Sequence, residues 1–114
     1  MLGMEGLRSM LIFKKQFVRP ILEGKKWQTR RLKKPKVKVG GIYQCKTGRF
    51  SPHAFAKVKV TNIRKQKLSE ISDSEVKAEG MENKEEFINL FKEIYNLSPD
   101  SDPEVWVIEF HTVD

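Results

Sequence analysis

The stretch that most constrains the fold is AFAKVKVTNIRKQKL, residues 54–68, which has the clearest alternating pattern in the chain. Val58 and Val60 are apolar, whereas Lys57 and Lys59 beside them are charged. Because successive side chains of a β-strand point to opposite faces, this pattern predicts a strand with one buried face and one solvated face. Such a strand needs neighbouring strands and an apolar layer on one side.

Further extended segments lie on both sides of this strand. The predicted strands are MLIFKKQ (10–16), QTRRL (28–32), KVKV (36–39), IYQCKTG (42–48) and VWVIEFHTV (105–113). The last of them is apolar enough to lie centrally in a sheet. Since most of these segments are joined by short turns, antiparallel neighbours are favoured.

Three segments have helical signals. FVRPILEG (17–24) predicts one or two helical turns that stop at its glycine. SDSE (72–75) is a capping box that opens a short helix ending at Gly80, and NKEE (83–86) opens a longer helix in the same way. The apolar face of that longer helix consists of Phe87, Leu90, Phe91, Ile94 and Leu97.

This order of elements predicts an α+β fold. Strand, short helix, about four strands, two helices and a final strand fit a small curled sheet or β-barrel, mixed or antiparallel, with the helices packed on it. A ferredoxin-like sandwich is the alternative, but its crossover helices should be longer than residues 17–24 allow. Neither a repeat nor a long linker divides the chain. We expect a single domain over residues 10–114, preceded by a weakly patterned tail, residues 1–9.

The charges are divided unequally along the chain. Residues 1–68 contain 19 Lys and Arg residues and two carboxylates, whereas residues 69–114 contain three and 13. Between Gly24 and Leu68 there are 15 cations and no carboxylate. Such a segment repels itself, and a polyanion would relieve that repulsion, so the pattern predicts a nucleic-acid partner. The alternative is that the acidic C-terminal part folds over the basic part and neutralises it.

Several kinds of chemistry have little support. With one cysteine there is no internal disulfide and no cysteine-based zinc site, and Cys45 is expected in the core. His53 and His111 have no patterned partner, so we expect no metal and no cofactor. Neither a bilayer-length apolar run nor a signal-peptide pattern is present, so a cytoplasmic location without membrane contact is expected.

The segment GKKWQTRR, residues 24–31, has the pattern G-x-K-x-x-T-x-R. Together with FVRPIL, KVKVGGIYQC, AEGM and VWVIEF around it, this motif resembles the ASCH family, whose fold is related to the PUA domain, a small RNA-binding β-barrel. The resemblance covers roughly residues 10–111. The sequence departs from it at Gly41, where many members have an acidic residue.

The resemblance implies two functions. Most members are expected to bind RNA or a modified nucleotide in a cleft of the barrel. Some small members are amidohydrolases that deacylate N4-acylated cytidine with a lysine, a threonine and a glutamate. By position these candidate catalytic residues are Lys26, Thr29 and Glu79. A ribonuclease activity or a protein-interaction module is a lesser alternative.

The residue chemistry agrees with a pocket at this motif. Gly24 lets the chain turn before the strand, so Lys26 could reach the same pocket as Thr29. Arg31 lies two residues after Thr29 and therefore shares its face of the strand. Glu79, in the last turn of its helix, opposes the helix dipole at a cost of about 0.3–1 kcal/mol, which a cation such as Lys26 would offset.

The other cations of the motif would support this pocket. Lys25 and Arg30, like Arg31, could lower the pKa of Lys26 by like-charge repulsion. Trp27 could stack on a base or pack in the core. Lys33 and Lys34, followed by Lys36 and Lys38, would contact phosphates. The candidate ligand-binding residues are Gly24, Lys25, Trp27, Arg30, Arg31, Lys33 and Lys34.

Overall fold

The computed structural model describes residues 10–114, so the predicted N-terminal tail, residues 1–9, lies outside the described residues. The strands are β1 (Leu11–Ile12), β2 (Gln28–Arg31), β3 (Ile42–Lys46), β4 (Ala56–Lys67) and β5 (Glu104–Val113). The α-helices are α1 (Val18–Leu22), α2 (Asp73–Ala78) and α3 (Lys84–Ile94). Two 3-10 turns, Lys15–Phe17 and Leu68–Glu70, precede α1 and α2.

The strands form one curled sheet in the order β1-β3-β4-β5-β2. β1 pairs with β3 in parallel, and the other pairs are antiparallel. The edge strands β1 and β2 are joined by a side chain, because Nη2 of Arg31 donates to the Ile12 carbonyl oxygen at 3.0 Å. The structure therefore confirms the predicted α+β fold with a mixed sheet, as a half-barrel whose edge strands share no backbone ladder.

Strand β4 contains a bulge that keeps its apolar side chains on one face. The register with β5 shifts between Val60 and Asn62. Because the bulge absorbs one residue, Ile63 lies on the same side as Val60 although the two are three positions apart. Ile63 pairs with Ile108 and packs against the same core as Val60.

The core has two apolar clusters. The first lies inside the half-barrel and consists of Leu11, Phe13, Phe17, Ile21, Val37, Cys45, Val58, Val60, Ile108 and Phe110. The second includes residues of α2 and α3 and consists of Leu68, Ile71, Val76, Phe87, Phe91 and Val105. Cys45 is a buried core residue, as predicted. Together the clusters fix α2 and α3 against β5, beside the edge strand β2.

The predicted helix starts are confirmed, with one difference. The Glu75 N–H donates to Ser72 Oγ at 3.2 Å, and the Glu75 carboxylate accepts from the Ser72 N–H at 3.1 Å, which completes the capping box of α2. α2 ends before Gly80, whose φ is +87°. At α3, Asn83 Oδ1 accepts from the Glu86 N–H at 2.9 Å, but Glu86 makes no reciprocal bond within residues 10–114.

The predicted strand over residues 36–39 is wrong, so three strands rather than four separate α1 from α2. Residues 32–41 form a loop in which Val37 is 3% exposed and Val39 is 60% exposed. The Val37 N–H donates to the Pro35 carbonyl at 2.8 Å instead of joining a ladder. The predicted first strand, residues 10–16, also shortens to β1, because a 3-10 turn takes up its second half.

Candidate functional site

A cleft of about 270 Å³ lies beside β2 and α3. Aromatic side chains form much of its wall, and they are Phe13, Phe17, Phe87, Phe91 and Tyr95. Its polar lining includes Lys26, Thr29, Arg30, Arg31 and Glu79. The three candidate catalytic residues from the sequence therefore line one cleft.

Lys26 ties the start of β2 to the end of α2. Its ammonium donates to the Glu79 carboxylate Oε1 at 2.9 Å and to the Glu79 carbonyl oxygen at 2.7 Å. A third bond goes to the Gln28 carbonyl oxygen at 2.8 Å. Since an ammonium has three N–H donors, protein oxygens engage the full donor capacity of Lys26.

The Lys26 side chain is almost fully buried. Its ammonium lies 4.5 Å from the Phe17 ring centroid, which gives it a cation–π contact. Gly80 lets the stem of Lys26 pass closely, because a Cβ on Gly80 would lie 3.3 Å from Lys26 Cβ. Burial lowers the pKa of Lys26, and the ion pair with Glu79 acts in the opposite direction.

Arg30 holds the other carboxylate oxygen of Glu79. Its Nη1 donates to Glu79 Oε2 at 2.9 Å and to Gln28 Oε1 at 2.8 Å. Nη2 donates to Glu75 Oε2 at 2.8 Å, and both Nη2 and Nε donate to Gln66 Oε1. All five N–H donors of this buried guanidinium thus have protein acceptors. We call these five residues, Arg30, Glu79, Gln28, Gln66 and Glu75, the Arg30 network.

The network extends to the outer carboxylates. Glu75 also accepts from Arg64, and Gln28 Nε2 donates to Glu109 Oε2 at 2.6 Å. Burial alone would raise the pKa of Glu75, but the Ser72 N–H, Arg64 and the other donors around it lower that pKa to about 2.

Thr29 and Arg31 lie on the opposite face of β2 from Arg30. Nε of Arg31 donates to Thr29 Oγ1 at 3.0 Å, and its guanidinium carbon lies 5.0 Å from the Phe13 ring centroid. Burial lowers the pKa of Arg31 from its ordinary value. Within residues 10–114, Nη1 of Arg31 has no hydrogen-bond acceptor, so one donor group that lines the cleft is available to a ligand.

The remaining candidates are distributed outside the cleft. Gly24 ends α1 with φ +76°, and the exposed Lys25 pairs with Glu23 at 3.5 Å. Trp27 is 44% exposed and does not line the cleft. The exposed residues Lys33 and Lys34 lie in the loop after β2.

Sequence reasoning missed the structural position of Arg30 and its partners. Arg30 was expected among the ligand-contacting cations; in the structure it lines the cleft, but it is buried and its donors are engaged by protein acceptors. Gln66 and Glu75 were not singled out as site residues. The one available signal was that Gln28 and Arg30 share the face of β2 opposite to Thr29.

Carboxylates neutralise only part of the basic segment. Five of its 15 cations pair with carboxylates: Lys25, Lys26, Arg30, Arg64 and Lys65. Within residues 10–114 the other ten have no such partner: Arg31, Lys33, Lys34, Lys36, Lys38, Lys46, Arg49, Lys57, Lys59 and Lys67. The acidic part of the chain therefore neutralises Lys26 and Arg30 at the site and leaves most of the segment positive.

Over residues 10–114, no group of three His, Cys, Asp or Glu residues is placed to hold a metal ion. In the same range, none of the helices has the length and apolar character needed to cross a bilayer.

The half-barrel with its helices defines the class of protein, a small α+β domain with a PUA-like fold. Comparison with solved structures makes this more specific. An ASCH domain from Lactobacillus crispatus superposes with a TM-score of 0.64 and 16% identity, covering 83% of this chain and 69% of that one. The fold is therefore that of an ASCH-like small domain, as the sequence resemblance implied.

Two other solved structures have the same fold. Protein EF3133 from Enterococcus faecalis, assigned to the family DUF984, has a TM-score of 0.69 and 19% identity over 90% of this chain and 74% of its own. The hypothetical protein PH0355 has a TM-score of 0.66 and 21% identity over 89% of this chain and 94% of its own. No family model and no curated protein matches the sequence.

Proposed function

We propose that this protein binds RNA, or a nucleotide or modified nucleoside, with one base in the cleft. The observation that carries the proposal is the pairing of aromatic walls with a buried polar lining. Aromatic walls suit the flat face of a base, and convergent donors and acceptors suit its hydrogen-bonding edge. Thr29 and Arg31 supply such groups at the cleft surface.

The size of the cleft supports a single base or nucleoside as the bound unit. Its volume of about 270 Å³ lies just below the roughly 300–1,000 Å³ typical of sites for drug-sized ligands. A longer strand would have to continue over the protein surface. That surface carries the exposed Lys33, Lys34, Lys36 and Lys38 of the loop after β2, which would contact phosphates.

Equilibrium binding of a fluorescently labelled, mixed-sequence single-stranded RNA tests this proposal. We expect binding at about 50 mM salt and a steep loss of affinity towards about 200 mM, because released counterions drive the association. Negligible binding at the lower salt, or affinity that does not change with salt, would contradict the proposal.

Matched variants test whether the cleft is the site. Arg31→Gln and Thr29→Val should weaken binding, because both change groups that line the cleft. Arg49→Gln is the control, since Arg49 belongs to the same basic segment but is exposed outside the cleft. Circular dichroism melts establish that each variant folds. Equal affinity of Arg31→Gln, Thr29→Val and Arg49→Gln would exclude the cleft as the binding site.

A second candidate function is hydrolysis of the amide of an N4-acylated cytidine. It is favoured by the arrangement of Lys26, Thr29 and Glu79 in one cleft. Thr29 Oγ would attack the acyl carbonyl while its proton passes to Lys26. Glu79 would relay that proton to the cytidine nitrogen, so that the amide C–N bond breaks and cytidine leaves. Water would then hydrolyse the acyl ester on Thr29 and release the acid. The lowered pKa of Lys26 favours the neutral amine that this step needs.

The present hydrogen bonds set a requirement for this chemistry. The Lys26 ammonium donates to Glu79 and to the Gln28 carbonyl, and Thr29 Oγ accepts from Arg31. Lys26 must therefore give a proton to Glu79 and turn towards Thr29 before the attack. Incubation with N4-acetylcytidine tests the reaction. Release of cytidine by the wild type but not by Thr29→Ala would support it, and equal release by both would exclude Thr29 as the nucleophile.

A further inference from the structure

A row of alternating cationic and aromatic side chains crosses the sheet beside the cleft. Arg31 of β2 and Lys65 of β4 both pair with Trp106 of β5. Side chains of directly paired residues lie on the same face of a sheet. The three side chains therefore form one row, and its Arg31 end also lines the cleft.

Two ammonium groups lie against the indole of this row. The Nζ atoms of Lys65 and Lys34 lie 4.7 Å and 5.4 Å from the centroid of the Trp106 ring. Trp106 itself is half-buried, so part of its ring surface faces solvent. Lys34 is exposed, and the Lys65 side chain is 51% exposed.

We infer that Trp106, with Lys34 and Lys65, is a second subsite at which the strand that enters the cleft stacks its neighbouring base. The inference rests on the proposed function, because it takes the ligand to be a nucleic-acid strand. An aromatic ring offers a stacking surface to any base, and flanking ammonium groups offer contacts to its phosphates. A base on Trp106 would displace the ammonium groups from the ring towards those phosphates.

The carboxylate of Glu104 lies beside this subsite and would compete with a phosphate of the ligand. Glu104 Oε1 lies 3.5 Å from the Lys65 ammonium, and both side chains are exposed. A phosphate would compete with Glu104 for Lys65. Removing that charge should therefore tighten binding, which distinguishes a phosphate contact from a purely structural contact of Lys65 with Trp106.

The other tryptophan of the chain provides a matched control. Trp27 is also exposed to solvent, but it lies outside this row and outside the cleft. Trp106→Leu and Trp27→Leu each remove one indole and keep an apolar side chain. Trp106→Phe keeps a stacking ring, so it should retain the affinity that Trp106→Leu loses if stacking is the role of Trp106.

The experiment measures binding of the labelled single-stranded RNA and of a DNA of the same sequence to the full chain. We expect Trp106→Leu to weaken RNA binding about fivefold to a hundredfold, and Trp27→Leu and Trp106→Phe to stay within about twofold of the wild type. Glu104→Gln should bind more tightly than the wild type. If Trp106→Leu weakens DNA binding as much as RNA binding, the subsite accepts either nucleic acid. If it weakens RNA binding alone, the subsite is specific for RNA.

Tryptophan fluorescence gives an independent readout. In Trp27→Phe the only indole is Trp106, and stacking of a base should quench its emission. In Trp106→Phe the only indole is Trp27, and RNA should leave its emission nearly unchanged. The emission spectra also identify a variant whose affinity falls because the variant is unstable.

The failure of this inference can be separated from the failure of the proposed function. If the wild type binds no RNA, the proposed function fails. If the wild type binds RNA and Arg31→Gln reduces that binding, but Trp106→Leu binds like Trp27→Leu, only the second subsite is excluded. Quenching of Trp27 instead of Trp106 would also overturn the inference.

Discussion

Lys26 and Glu79 meet twice, because the Lys26 ammonium donates both to the Glu79 carboxylate at 2.9 Å and to the Glu79 backbone carbonyl at 2.7 Å. The first bond neutralises a buried carboxylate, and the second caps the C-terminal end of α2, where a cation is favoured by the exposed carbonyls. The ion pair anticipated from the sequence is present. Lys26 thus stabilises the helix end and the cleft with the same three protons.

Glu79→Gln should destabilise the protein strongly. The substitution leaves Lys26 and Arg30 buried with a neutral partner in place of a shared carboxylate, and breaking a buried ion pair in this way costs about 3–5 kcal/mol. Urea unfolding followed by circular dichroism measures the loss. The control is Glu82→Gln, because Glu82 is exposed and should change stability by less than about 0.5 kcal/mol. Equal stability of the two variants would show that the buried ion pairs contribute little.

Arg30→Lys should also be destabilising although it keeps the charge. Lysine has three donors where the guanidinium has five, so at least one of the four acceptors on Gln28, Gln66, Glu75 and Glu79 would lose its bond from residue 30. Each buried acceptor left without a donor costs about 1–3 kcal/mol. The urea midpoint should fall accordingly, whereas Arg49→Lys on the surface should leave it unchanged. An unaltered midpoint for Arg30→Lys would mean that charge alone holds the network.

The stability of the protein should decrease at acidic pH in a window set by Glu75. Its pKa is lowered from 4.5 to about 2 in the folded state, so the folded protein binds this proton less readily than the unfolded chain does. The corresponding stabilisation is complete above about pH 4.5 and is lost as the pH falls towards about 2. Melting temperatures across this range should fall less steeply in Glu75→Gln than in the wild type.

The matched control for that pH dependence is Glu86→Gln. Glu86 follows the N-cap of α3 at the same distance as Glu75 follows that of α2, but it forms no ion pair within residues 10–114. The acid slope of Glu86→Gln should therefore match that of the wild type. If the melting temperature of Glu75→Gln also falls with pH as steeply as that of the wild type, other carboxylates cause the acid sensitivity.

Cys45 should resist thiol reagents in the folded protein. It is the single cysteine of the chain and is fully buried, and burial raises the pKa of its thiol to about 12, with Arg31 acting in the opposite direction. The reactive thiolate is therefore scarce as well as inaccessible. Reaction with Ellman's reagent should be slow in buffer and rapid in denaturant. Lys57→Cys, at an exposed position, should take up one equivalent at once, and rapid labelling of the wild type would contradict this account.

The elements of the fold could be predicted where one short pattern determines them. The alternation around Val58 and Val60 identified β4, and the capping residue Ser72 located the start of α2. The same alternation failed at Val37 and Val39, because both lie in the loop of residues 32–41, where the Val37 N–H bonds to Pro35 and, of the two valines, only Val37 is buried. A two-residue repeat does not show whether a partner strand is available.

The cleft was predictable from the motif, but the network behind it was not. Lys26, Thr29 and Arg31 stand in a recognisable spacing, and they line one cavity. Gln66 and Arg30 look like solvated residues of their strands, because nothing local shows that Glu75 and Glu79 cover them. Polar residues from distant segments neutralise one another only after the chain has folded.

The extra residue in β4 affects the bend of the strand but not the assignment of its side chains to the two faces of the sheet. The pairing of Val60 with Phe110 and of Asn62 with Glu109 is what a strand without Thr61 would have. Thr61 therefore adds local bend to the half-barrel without changing which side chains face the cleft or the network. One-residue differences in length should be tolerated at Thr61, whereas an insertion between Asn62 and Gln66 would exchange the two faces.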